Sequence, residues 1–79
     1  MSGEEAWEVA LFQSVSQAIR AEKLLAGAGI PCKLIPVPRH LSSDCGVCLR
    51  FAPACRPQVE AALRDRVEVE AILPLQTRG

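Results

Sequence analysis

An α+β fold is predicted by three features of this 79-residue chain. Four short segments carry strand patterning, two carry helical patterning, and they alternate in the order βαββαβ. One face of the predicted strands is apolar and the other carries charge, as a sheet covered by helices on a single side would require.

The first strand is Trp7-Glu8-Val9-Ala10-Leu11-Phe12, where large apolar residues alternate with small or charged ones until Gln13 and Ser14 break the run. Ser14 or Ser16 supplies a side-chain oxygen for the unpaired N–H groups of a helix's first turn. The helix runs from Ser16 to Ala28, rich in Ala, Leu, Glu, Lys and Arg. Its apolar stripe is Val15, Ala18, Ile19, Ala21, Leu25 and Ala28. Gly27 and Gly29 bracket its end and Pro31 bars continuation.

Cys32-Lys33-Leu34-Ile35-Pro36-Val37 reads as the second strand. Pro36 has no backbone donor, so this strand belongs at a sheet edge, or the proline at its end. Pro38 to Cys45 is loop, stiffened at its root by two prolines. Gly46 to Ala52 is the third strand, stopped by Pro53. Pro57 fits the first turn of a second helix with the stripe Val59, Ala62, Leu63. Val67-Glu68-Val69-Glu70-Ala71-Ile72-Leu73 is the fourth strand.

This order points to a ferredoxin-like two-layer sandwich, a four-stranded antiparallel sheet with both helices on one face. Parity assigns Val47, Leu49 and Phe51 to the covered face and Cys48 and Arg50 to a polar face. In the last strand Val67, Val69, Ala71 and Leu73 oppose Glu68 and Glu70. Residues 7–75 are expected to form a single domain, with residues 1–6 and 76–79 as flexible tails.

Nine acidic and nine basic side chains balance, so no global field draws in nucleic acid or an anionic membrane. The start, Met1-Ser2-Gly3-Glu4-Glu5, lacks the basic and apolar regions of a secretory signal. Apolar runs are strand-sized, far short of a membrane span. A cytoplasmic protein is expected, with no cofactor. A chain this short buries only about 60–65% of its unfolded surface, which makes a homodimer, a metal or a disulfide a natural source of added stability. The four cysteines are therefore weighed singly.

A structural zinc site uses two paired knuckles, and only Cys45 and Cys48 make such a pair, so no metal is expected. A dithiol redox pair has the right Cys-x-x-Cys spacing. However, the pair opens a strand, which lacks the dipole that activates a thiol at a helix start. Cys32 and Cys55 read as small packed hydrophobes. Cys45 sits at the mouth of the loop beside Gly46, which lets a bulky group approach the backbone. Arg39 and His40 supply positive charge for a thiolate, and Ser42 and Ser43 supply donors, while Asp44 opposes ionisation. The same residues also make an ordinary turn. Residue types alone do not choose between the turn and the reactive thiol. His40 has no second histidine with which to build a metal site, and Glu4, Glu5, Glu8, Glu68 and Glu70 read as solvated faces.

Leu34-Ile35-Pro36-Val37-Pro38-Arg39, Leu41-Ser42-Ser43-Asp44-Cys45-Gly46 and Leu49-Arg50-Phe51 together resemble the small bacterial selenium/sulfur carrier protein-like family. Upstream, Phe12-Gln13-Ser14, Ala21-Glu22-Lys23-Leu24-Leu25 and Gly29-Ile30-Pro31 are similar to its first strand and helix. The resemblance covers nearly the whole chain, about Val9 to Ile72. It implies a carrier that holds sulfur or selenium on Cys45 as a persulfide or perselenide and hands it to a partner, a TusA-type sulfurtransferase or another selenium-metabolism protein. The positions that match the family pattern are Pro36, Pro38, Arg39, Ser43, Cys45 and Gly46. Cys48 departs from it and is a candidate resolving thiol. Two other readings stay open: a non-catalytic module binding protein or ligand through its open sheet face, and a Cys45/Cys48 dithiol redox protein.

Overall fold

The computed structural model describes residues 7–38 and 46–75. Its elements are β1 (Trp7–Phe12), α1 (Val15–Gly27), β2 (Lys33–Pro36), β3 (Val47–Phe51), a single 3-10 turn at Pro53–Cys55, α2 (Arg56–Leu63) and β4 (Val69–Leu75). The strands form one antiparallel sheet in the order β2-β3-β1-β4. Each helix links two strands that have another strand between them, the ferredoxin-like arrangement that the element order predicts.

Both helices lie on one face. Ala18, Ala21, Leu25, Val59 and Leu63 from the helices pack with Ala10, Phe12, Leu49 and Phe51 from the two central strands. These are the fully buried side chains whose removal from water drives folding.

Local chemistry explains the element ends. Ser14 is the cap of α1, its hydroxyl accepting from the Gln17 N–H at 3.3 Å. At the other end the N–H of Ile30 donates to the Leu25 carbonyl at 2.9 Å and that of Gly29 to the Ala26 carbonyl at 3.1 Å. This 6→1 and 5→2 pairing needs a left-handed residue, and Gly29 supplies it at φ 77°. Pro36 is the last residue of an edge strand, where its missing donor costs nothing. Pro74 is tolerated inside β4 for the same reason, since β4 is the opposite edge.

Four expectations need correction. Val15 and Ile19 are 46% and 40% exposed, so the buried stripe of α1 is Ala18, Ala21 and Leu25 alone. Glu8 is no solvated acid: its carboxylate, on a mostly buried side chain, pairs with Arg56 at 3.4 Å, and Arg56 also holds Glu60 at 3.0 Å. The pair ties β1 to the start of α2.

The fourth strand begins at Val69, two residues later than its alternating pattern suggests. Val67 packs into the core just ahead of the strand, its N–H donating to the Leu63 carbonyl at 3.1 Å. The register against β1 jumps from Leu11↔Ala71 to Phe12↔Val69, leaving Glu70 without an opposite residue. This bulge flips the parity. Val69 and Ile72 pack with the helices, whereas Ala71, Leu73 and Leu75 lie on the other face.

That other face is the fourth correction, because it is not polar. Val9, Leu11 and Cys48 are buried there, flanked by Ile35, Val37, Ala71, Leu73 and Leu75. Cys48 lies opposite Leu11 on one side and Ile35 on the other. With aliphatic neighbours on both strands it packs as a small hydrophobe, fully withdrawn from solvent.

Candidate functional site

The region that the sequence singles out is the connection between β2 and β3. Pro36 pairs with Val47 as the last rung of that ladder. One step beyond, the Val37 N–H donates to the Gly46 carbonyl at 3.1 Å. The chain therefore leaves the sheet at Pro38 and returns at Gly46 through a mouth closed by a backbone hydrogen bond. Arg39, His40, Leu41, Ser42, Ser43, Asp44 and Cys45 fall between these points and lie outside the described residues. Among the predicted site residues, Pro36, Pro38, Gly46 and Cys48 are described.

A side chain added at Gly46 would meet nothing within 4 Å among the described residues, so the backbone there borders open space. Its φ is +86°, and that left-handed turn is what requires glycine. Gly46→Ala is accordingly expected to cost about 1 kcal/mol through backbone strain alone, with no clash. Urea unfolding measures it, and unchanged stability would mean that the turn relaxes freely.

Cys48 shares a strand with Gly46 but is buried, as described above. Cys32 and Cys55 are half-buried against the helix-side core, which fits the reading of both as packed hydrophobes. Burial raises the Cys32 pKa above the ordinary thiol range, and the Glu22 carboxylate adds to the shift. The folded state thus favours the protonated thiol. The stability from this preference is intact below the ordinary thiol range of roughly 8.5, and is lost as pH climbs through the raised value. Cys32 is expected to react with iodoacetamide at pH 8 more slowly than an unfolded-chain cysteine does. Glu22→Gln should speed that reaction, and an unchanged rate would remove Glu22 from the account.

Two grooves lie on the helical side. One of about 420 Å³ runs between α1 and α2 past Lys23 and Arg66, and one of about 290 Å³ lies between α2 and β4. Neither is lined by a residue of the β2–β3 connection. Among the described residues no three His, Cys, Asp or Glu side chains come together in a metal-binding group, and no helix is long and apolar enough to cross a membrane.

One arrangement on the second sheet face escaped the sequence reading. The Arg50 guanidinium carbon lies 4.2 Å from the centre of the Trp7 ring, a cation–π contact. Lys33 is directly opposite Arg50 across the β2–β3 ladder. Alternation alone placed Arg50 on this face; finding its neighbours needed the strand order β2-β3-β1-β4, which no local pattern carries.

A family model described as "Putative Se/S carrier protein-like" matches residues 8–74. The match runs from β1 into β4 and takes in the whole β2–β3 connection. No curated protein and no solved structure matches the chain significantly.

Proposed function

The chain belongs to the Se/S carrier protein-like family, and on that premise we propose that it carries sulfur or selenium on Cys45 and passes it to a partner protein. The observation that supports this most directly is that the family match includes the connection bearing Cys45. The clamped mouth at Val37 and Gly46 supports it physically, because a carrier needs its thiol on a segment held by a rigid scaffold and reachable by another protein.

In the proposed cycle the Cys45 thiolate attacks the outer sulfur of a donor protein's cysteine persulfide. A new S–S bond forms on Cys45, the donor's S–S bond breaks, and the donor leaves as a thiolate. An acceptor thiolate then attacks the terminal sulfur and frees Cys45. One sulfur moves at each step with its oxidation level unchanged, and no external oxidant or reductant is consumed. The selenium version exchanges the terminal atom. A TusA-type sulfurtransferase fits the donor or acceptor role.

The burial of Cys48 among aliphatic side chains favours a single working thiol over a Cys45/Cys48 redox pair. Incubation with a cysteine desulfurase and cysteine, followed by intact mass measurement, tests the carrier reading. A gain of one sulfur atom, removed by dithiothreitol, is expected. A protein that gains nothing from desulfurases or sulfurtransferases is not a sulfur carrier.

A further inference from the structure

We propose that the groove between α1 and α2 is a docking site for an acidic helix of the transfer partner, held between Lys23 and Arg66. The partner's role rests on the carrier reading; the contact itself does not.

The groove is open and of useful size. It measures about 420 Å³ and is lined by Gly27 and Ala28 at the end of α1 and by Ala61 and Ala62 of α2. Gly27, Ala28 and Ala61 are exposed and Ala62 is half-buried. Small side chains on both walls let another backbone come close, while a helix interior offers no free backbone groups to an extended strand. A third helix, which pairs its own backbone and packs by side-chain ridges, is the occupant such a groove fits.

Gly27 points the same way. Its φ is not positive, and a side chain added there would meet nothing within 4 Å among the described residues. Glycine in a helix is disfavoured relative to alanine, and what the missing side chain does here is keep the groove floor open.

Charge defines the occupant further. Lys23 and Arg66 rim the groove, and none of the described residues lining it is acidic. Both cations are exposed. Neither has a carboxylate partner among the described residues, where both ion pairs belong to Arg56. Carboxylates beside small aliphatic side chains complement both rim and floor, whereas the balanced charge of the whole chain creates no field for nucleic-acid phosphates.

The position suits a transfer partner. Leu11 pairs with Cys48 on one side and Ala71 on the other, so β3 and β4 begin at the same end of the sheet, two strand spacings or about 10 Å apart. Arg66, three residues ahead of β4, therefore lies at the end from which the Cys45 connection leaves.

The test is a titration with an acetylated, amidated alanine–leucine helix carrying glutamates along one flank, against a matched glutamine version, followed by backbone amide shifts and calorimetry. The glutamate helix is expected to shift Lys23, Gly27, Ala62 and Arg66 and to weaken as salt rises, and the glutamine helix to leave them unmoved. Lys23→Gln and Arg66→Gln should each weaken binding roughly two- to fivefold, the range of exposed ion pairs. Gly27→Gln fills the floor with a better helix former, so it should unfold at the same or a higher urea concentration yet bind roughly tenfold more weakly. Arg64 lines the other groove, between α2 and β4, and Arg64→Gln should bind like the parent.

Unchanged affinity in Gly27→Gln or in the Lys23→Gln, Arg66→Gln double variant overturns the proposal, as does an equal loss in Arg64→Gln. So do the same shifts on concentrating the protein alone, which would make a second copy the occupant, and displacement of the peptide by a single-stranded oligonucleotide. Cys45→Ser should bind the peptide normally. A parent chain that binds the peptide but takes up no sulfur refutes the carrier reading alone, and one that loads sulfur without these shifts refutes the docking site alone.

Discussion

Cys45→Ser is expected to lose sulfur loading by two orders of magnitude or more while unfolding at the same urea concentration as the parent chain. A serine hydroxyl is essentially un-ionised at neutral pH and cannot attack a persulfide, so transfer should fall to background, about a hundredfold or lower. The neighbouring Gly46 is exposed, and the described core is drawn from the helices and the sheet, so stability is expected not to move. The other thiols serve as controls. Cys32→Ala, Cys48→Ala and Cys55→Ala should all load one sulfur, although Cys48→Ala removes a fully buried sulfur and should cost about 1 kcal/mol. Loading that survives in Cys45→Ser and vanishes in Cys48→Ala would transfer the role to the buried cysteine.

The largest expected effect on the fold comes from Phe12→Ala. Phe12 is fully buried at the end of a central strand and packs with residues of α1 and α2. Deleting a buried phenylalanine costs about 3–5 kcal/mol, the sum of lost transfer energy and the cavity left behind. A chain of this length has a total stability of roughly 4–12 kcal/mol. The variant should melt roughly 12–40 °C below the parent, by the shift typical of domains this small. Thermal unfolding followed by circular dichroism reads it directly, and a shift of only a few degrees would show that the site collapses around the alanine. Val15→Ala and Ile19→Ala, on the exposed side of α1, should change little by comparison.

These two results concern parts of the molecule that were unequally legible in the sequence. The strand holding Phe12 was bounded correctly, because it ends where Gln13 and Ser14 say it ends, but which of its faces meets the helices was not read from the pattern. Pro36 announced both an edge and a strand end through one missing donor. The assignment of β4 failed for a specific reason. Its valines and glutamates alternate cleanly from Val67 to Glu70, but the first pair belongs to the chain leaving α2. The bulge at Glu70 then swaps faces for everything after it. A bulge depends on the partner strand and leaves no mark in the local period. The polarity of the second face was misjudged similarly. Arg50 signals an exposed side, yet its charged end lies back over Trp7 while its neighbours on the face are aliphatic. Cys45 was legible only as a residue type in a loop, and its candidacy came from the pattern around it rather than from any property of a single thiol.

The hydrogen bond between Val37 and Gly46 has a consequence for how such a protein diversifies. The β2–β3 ladder runs up to that bond, so the register of the two strands is set before the chain enters residues 39–45. Insertions there are also cheap, because each doubling of a loop's length costs only about 0.6 kcal/mol in closure entropy. The connection is thus bounded by two fixed points, Val37 and Gly46, and its length can change without shifting the register of the ladder.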